Sequence, residues 1–304
     1  MTIPSMDEQT EATGLIFVPE ELATDVNMLI RDASAVDALA RHRPMKRNVL
    51  NLRKQLTTTT PAAVAEKGIK TKSAPTFDKY TLTAETIAVI VPFTEDEVDD
   101  SDVDTSSLVK EDVISGLAEI FDAYTLGYNL GSPYTDSWSG NTPVGNEVPF
   151  GSSPAGDIAD DINEMISKIE VQGYDCTGMI SHPRVKALLR GARDKDNHPI
   201  YQEDLRTSVG VYNVYGIPFK FSRQVIASGS PLGVEILGAY CPYVVVGDRM
   251  SLEIKMLDQA TLTQGGETIN LAEQDMIALR FRLRKAFAIK LDDILAKVTD
   301  VPLA

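Results

Sequence analysis

AEKGIKTKSAPTFDKYTLTAETIAVIVPFTEDEVDDSDVDTSSLVKEDVISGLAEIFDAYTLGY, residues 65–128, passes through four kinds of sequence in turn. It opens on a loop that gathers Lys67, Lys70, Lys72 and Lys79, punctuated by Gly68 and Pro75. Phe77 to Phe93 is rich in β-branched and aromatic residues and alternates from Thr81 onward, the pattern of a strand. An acidic run, Thr94 to Ser107, then supplies Asp and Ser where a helix start needs side-chain acceptors and negative charge. Val109, Val113, Leu117, Ile120, Phe121, Tyr124 and Tyr128 recur at steps of three and four, which predicts a long amphipathic helix with one apolar stripe.

Upstream, Val49–Thr60 (VLNLRKQLTTTT) alternates Leu50, Leu52 and Leu56 with polar residues, a second strand that makes a hairpin with the first. Its tip, Ala62 to Lys72, holds too few apolar groups to fold back on a core of its own. A two-stranded ribbon is marginal in water, so this hairpin is expected to lie on another surface. Before it come a polar leader to about residue 14, a short amphipathic helix carrying Leu22, Val26, Leu29 and Ile30, and the basic stretch Arg41–Arg47.

Downstream, Gly131–Gly156 shifts to Gly, Pro, Ser and Asn and reads as a loop and domain boundary. Ile158, Ile162, Ile166 and Ile169 predict a helix ending at Gly173. Thr177–Ser181 is a short buried strand, and 182–194 another helix with Pro183 in its first turn. Further strands follow at 214–225 and 239–257. Met276–Lys290 alternates Arg280, Arg282 and Arg284 against Phe281 and Leu283, giving one basic and one buried face. The fold class is α+β, with helices and strands mixed.

The chain has 304 residues, 43% apolar and 24% charged, enough for about two domains and a real core. Its most apolar stretches, 86–93 and 238–247, are far shorter than the roughly 20 residues that span a bilayer as a helix. The polar, acidic start lacks a signal pattern, so cytoplasmic synthesis and no membrane partner are expected. Cys176 and Cys241 stand without CxxC spacing and read as buried apolar thiols. With 44 Asp plus Glu against 29 Lys plus Arg, net charge −15, the protein suits surrounding a nucleic acid better than gripping one.

Asp100, Asp102, Asp104 and Glu111 match positions of a calcium loop, but Thr105 stands where the sharp turn needs Gly; a solvated acidic run is the preferred reading. Asp194, Asp196 and His198 lack a second ligand cluster and read as a polar turn before Pro199. Nucleophile elbow, phosphate loop and metalloprotease helix motifs are absent, and no cofactor is expected. The basic clusters 41–47 and 280–285, like the hairpin lysines, suit pairing with carboxylates of this chain or of a copy of it.

The order of these elements resembles tailed-bacteriophage major capsid proteins of the Hong-Kong-97-type fold, over nearly the whole chain. Residues 14–30 resemble that family's N-terminal arm, 65–128 its extended loop, strand and spine helix, and 141–145 the turn after the helix. Residues 215–225 are similar to its Gly-x-Pro strand, and 240–254 with 276–290 to its closing strands. The resemblance implies an N-terminal arm (1–48), an extended loop hairpin with flanking strands (49–93), a peripheral domain with the spine helix (94–150), an axial domain (151–242) and peripheral return strands (243–304). It further implies a non-enzymatic head protein that forms pentamers and hexamers and closes an icosahedral shell around double-stranded DNA.

Expected partners are other copies of the chain, a portal protein, a separate scaffolding protein and a decoration protein; the place of the product is the virion, assembled in the bacterial cytoplasm. Inter-subunit contacts are expected from Lys67, Lys70, Lys72, Lys79, Arg41, Arg43, Arg47, Arg280, Arg282 and Arg284. The arm-like sequence begins within the first twenty residues and the chain opens on Met1, which is why the scaffold is expected to be separate. Gln274 and Asp275 fall near a cross-linking glutamate of some relatives, but no asparagine falls clearly at the acceptor position, so covalent cross-links are not expected. Two rivals stand beside this reading: an encapsulin-type shell enclosing an enzyme cargo, and a small-molecule or calcium-dependent enzyme using Asp100–Glu111.

Overall fold

The structure, a computed structural model, describes residues 34–302 apart from 58, 60, 65, 71, 96–104, 129–130, 153–157, 193–211, 226–232 and 265–266. The expected arm helix, most of the acidic run and the turn at Asp194–Pro199 lie outside the described residues. Two compact units are distinguished: one draws on Thr86–Ala118 and Met250–Arg284, the other on Ser34–Glu85, Glu119–Arg249 and the chain from Lys285 onward.

In the second unit a six-stranded sheet runs β4 (Glu147–Pro149), β13 (Leu295–Pro302), β8 (Gly233–Ala239), β5 (Gly178–Ser181), β7 (Ile217–Phe221) and β6 (Tyr212–Val214). Helix α3 (Ile158–Val171) lays Ile158, Ile162, Met165, Ile166 and Ile169 on it, against Met179, Phe219, Ile236 and Val298. Gly173 ends the helix as expected, at φ +82° with its N–H on the Glu170 carbonyl, a left-handed position that a Cβ would strain. Helix α4 (Val185–Gly191) follows Pro183 and adds Val185 and Leu189 to the same core. Tyr215 and Gly216, both at positive φ, form the two-residue turn between β6 and β7.

This sheet draws strands from outside residues 151–242 as well as from within them. β4 comes from the Gly, Pro, Ser and Asn stretch read as a boundary loop, and β13 from the segment read as peripheral. The loop is packed, with Trp138 fully buried and its N–H donating to the Thr125 carbonyl at 2.8 Å from the backbone. Parallel pairing of β4 with β13 joins residues about 150 positions apart, which no local pattern announces.

A five-stranded sheet has the order β1 (Arg41–Pro44), β9 (Val244–Leu257), β12 (Met276–Ile289), β3 (Phe77–Thr94) and β2 (Val49–Gln55). The basic stretch 41–47 thus begins as an edge strand, parallel to β9 with His42 opposite Val246. Such a strand is too short and too charged to show period-two alternation. Gly247 makes the close approach possible, since a Cβ there would lie 2.4 Å from the Met45 sulfur and 3.0 Å from the Ala286 Cβ. β10 (Thr261–Gln264) and β11 (Glu267–Asn270) form a separate hairpin in the first unit.

Helix α2 (Thr105–Leu126) is the expected spine helix, 22 residues long. Its buried line is Ile114, Leu117, Ala118, Phe121, Asp122, Thr125 and Leu126, while Ile120 is 41% exposed. Successive helical residues point about 100° apart, so tertiary partners chose a stripe turned from the one that apolarity alone outlines. Asp122 is buried because it has a role at the neighbouring segment, described next.

Candidate assembly surfaces

β2 and β3 form the expected antiparallel hairpin, in register from Val49 opposite Thr83 to Gln55 opposite Phe77. Leu50, Leu52, Tyr80 and Leu82 point one way, into a cluster with Met45, Ala84, Val245, Ala286 and Ala288. The base of the hairpin is therefore anchored on the subunit's own core. Beyond it, Leu56 N–H donates to the Thr76 carbonyl at 2.9 Å, and the Thr57 and Thr76 hydroxyls hydrogen-bond at 2.8 Å. Among the described residues from there to Thr76 none belongs to a helix or strand; Ile69 is 96% exposed, and Phe77 at the start of β3 is 62% exposed.

Lys67, Lys70 and Lys72 lie exposed on this loop, Lys67 at φ +67°. Lys79 sits on β3 directly opposite Arg53, both exposed. On the other face Lys54 meets Asp78 at 3.9 Å. Arg41 and Arg43 are exposed on β1, and Arg47 in the turn before β2. The field of Arg43 and Arg41 reaches the Tyr80 phenol, where it opposes the upward push of burial on that group. The cations of β1 are thus brought toward the hairpin base, whereas the loop lysines extend beyond the last ladder bond.

Arg280, Arg282 and Arg284 alternate with buried Phe281 and Leu283, as the pattern requires. On the basic face all three are half-buried, with the Nε atoms of Arg280 and Arg284 out of solvent. Gln274 and Asp275 are exposed in the turn before β12, where the Asp275 carbonyl accepts the Glu95 N–H.

Sequence reasoning missed Ile69 as an apolar knob on a basic loop, although an isolated Ile between lysines was visible. It also missed a polar cluster under helix α1 (Ala35–Leu39). Ser34 Oγ donates to Asp122 Oδ1 at 2.6 Å and accepts the Asp37 N–H, while the N–H groups of Ala35 and Val36 donate to the same carboxylate at 3.0 and 3.2 Å. Burial pushes the Asp122 carboxyl above the usual aspartate range, and these donated bonds oppose it. Lys285 Nζ is paired with Asp37 Oδ2 and lies 5.0 Å from the centre of the Phe121 ring. A second buried cluster gathers Tyr128 and Ser139, which donate to Glu235 Oε2, and Lys297, 3.1 Å from Glu147 and 3.6 Å from Glu235. Residues so far apart in sequence leave no spacing to read.

Neither thiol forms a disulfide; burial pushes Cys176 up to about 11 and Cys241 up to about 12. Among the described residues no group of three or more His, Cys, Asp or Glu is placed to hold a metal ion, and no helix is long and apolar enough to cross a membrane.

No curated protein matches the chain. Among solved structures it is similar to one from Microbacterium phage Oxtober96, at 28% identity over 88% of this chain and 91% of that one, with a TM-score of 0.74. One from Mycobacterium phage Adephagia gives 23% identity over 88% and 90%, TM-score 0.73. The capsid of a native GTA particle shares the fold at 10% identity, over 89% and 91%, TM-score 0.67. The phage capsid family matches residues 14–300. With the hairpin, the spine helix and the mixed sheets in their expected order, these matches establish that the chain belongs to the phage capsid family and has the Hong-Kong-97-type fold.

Proposed function

We propose that this capsid protein is the major head subunit, which gathers as pentamers and hexamers and closes into an icosahedral shell around the double-stranded DNA of a tailed phage. The observation that supports this most is the hairpin: a base built into the subunit core and a distal loop on which Ile69, Lys67, Lys70 and Lys72 are exposed, with Lys79 exposed on the adjoining strand. Apolar groups left uncovered beyond an anchored base suit a contact with a second copy, and the acidic balance of the chain supplies the opposite charge. Arg41, Arg43 and Arg47 would join that contact near the hairpin base. Arg280, Arg282 and Arg284, half-buried, are the weaker contributors.

In this reading the unit with the six-stranded sheet is the axial domain, and the first unit belongs to the peripheral domain. The subunit acts by assembly and catalyses no reaction. Portal, separate scaffolding and decoration proteins are its further partners, DNA is enclosed without sequence-specific contact, and assembly takes place in the host cytoplasm before the shell becomes part of the virion. The family match and the phage structures favour this over an encapsulin-type shell. The deciding experiment is electron microscopy of the protein expressed alone and with its genomic neighbours, with sedimentation. Closed shells or capsomer rings, with nucleic acid in filled particles, are the expected result. A monodisperse monomer or dimer in both preparations overturns the reading, and shells that enclose an enzyme favour the encapsulin.

A further inference from the structure

His42 stands at the centre of β1 with both ring nitrogens engaged. Nε2 lies 2.8 Å from the Asp37 carbonyl oxygen and Nδ1 2.9 Å from Asp248 Oδ2. A carbonyl and a carboxylate are acceptors only, so both contacts are hydrogen bonds only when both nitrogens carry protons, that is, in the imidazolium. A neutral ring satisfies one of them and turns a lone pair on the other.

The surrounding charges fit the cation. From α1 comes Asp37, whose Oδ2 holds Lys285 of β12 and whose Oδ1, buried and without a hydrogen bond, is 3.9 Å from His42 Nε2. From β9 comes Asp248. With His42 charged, two cations face two carboxylates; with His42 neutral, one negative charge is left over. Arg41 and Arg43, the other charged residues of β1, are exposed.

The ring also spans the right elements. It ties α1 to β9 through β1, a strand of four residues that, among the described residues, pairs only with β9, through Arg41–Pro44 with Val245–Asp248. The ladder with β9 and the buried Met45 beyond its end hold the same strand, and the His42 contacts add a link from it to α1.

We propose that His42 is a proton-operated clasp: protonated, it locks the α1–β1 segment onto β9; deprotonated, it lets that edge strand loosen without unfolding the core behind it. The Asp248 hydrogen bond, set against partial burial and helped by Asp37, raises the His42 pKa above its ordinary 6.5. The sign follows: the stabilisation is complete below about pH 6.5 and is lost as pH rises through the raised value in the folded subunit. In a shell, such a clasp would set how firmly the start of the chain is held during rearrangement. That meaning rests on the proposed assembly; the clasp itself is a property of the subunit.

The test is hydrogen exchange of the full-length protein, followed by mass spectrometry on peptides covering residues 35–45, at pH 5.5, 7 and 8.5 and corrected for the intrinsic pH dependence of exchange. Protection is expected to fall about tenfold or more between the extremes, the change that losing one charge-assisted hydrogen bond produces. In His42→Gln it should be low and flat with pH, with peptides of α3 unchanged. Nitrogen-detected NMR of wild-type His42 is the second readout, useful should the variant fold poorly: both ring nitrogens should be protonated at pH 6.5. Flat wild-type protection, an undiminished pH dependence in His42→Gln, or a neutral His42 ring at pH 6.5 would each overturn the clasp. None of these readings depends on whether shells form.

Discussion

Lys285 is buried with its ammonium on Asp37 and over the Phe121 ring, so its charge is neutralised at close range and away from water. Truncating one partner leaves the other as a buried, unpaired ion, which costs far more than the net worth of the pair. Lys285→Met is expected to destabilise the subunit by about 3–5 kcal/mol in urea unfolding. The double variant Asp37→Asn/Lys285→Met should cost clearly less than the two single changes summed; strict additivity would show that the pair is not coupled. Asp122 belongs to the same region: a polar residue on the buried stripe of a helix reads as an exception until the N–H groups of α1 are seen to end on it.

At the scale of elements, the hairpin and helix α3 answer substitution in opposite ways. Ile162 is fully buried between α3 and the six-stranded sheet, and Ile162→Ala should cost about 2–5 kcal/mol of subunit stability. Ile69 is almost fully exposed in the subunit, so Ile69→Ser should leave the unfolding midpoint in place and weaken assembly, read by sedimentation. Replacing Lys67, Lys70 and Lys72 together by Glu should likewise leave a folded subunit but impair shell closure; normal shells from that variant remove the docking role of the loop. Arg53 and Lys79 are a like-charge pair directly across β2 and β3, an arrangement that weakens a ribbon. Lys79→Glu is therefore expected to raise subunit stability slightly, by at most about 1 kcal/mol, while lowering the yield of shells. A rise in both would mean that Lys79 serves no contact.

For the whole molecule, net charge −15 makes copies repel, and the concentration of cations on the hairpin and β1 gives them one favourable way to approach. Salt screens both effects between exposed charges over about 10 Å at 0.1 M. Assembly rate, followed by light scattering, should thus depend on ionic strength more strongly in the wild type than in the triple Glu variant. Dissociation of finished shells, where apolar burial dominates, should respond less. Equal salt slopes for wild type and variant would show that the loop charges do not guide encounter.

The hairpin, the spine helix, α3 and the alternation of β12 were legible from the chain alone, because each is a repeat of two or about 3.6 residues carried by neighbouring positions. Their order was enough to suggest the family. The loop lysines were legible too, as a local excess of charge. The sequence did not determine the short strand at Arg41–Pro44, the pairing of β4 with β13, the half-burial of Arg280, Arg282 and Arg284, or which stripe of α2 faces inward. Nor could it assemble Asp37, His42, Asp248 and Lys285, which come from four segments. Those features depend on partners many residues away, and only the folded chain, by placing those partners within hydrogen-bond distance, decided what each residue does.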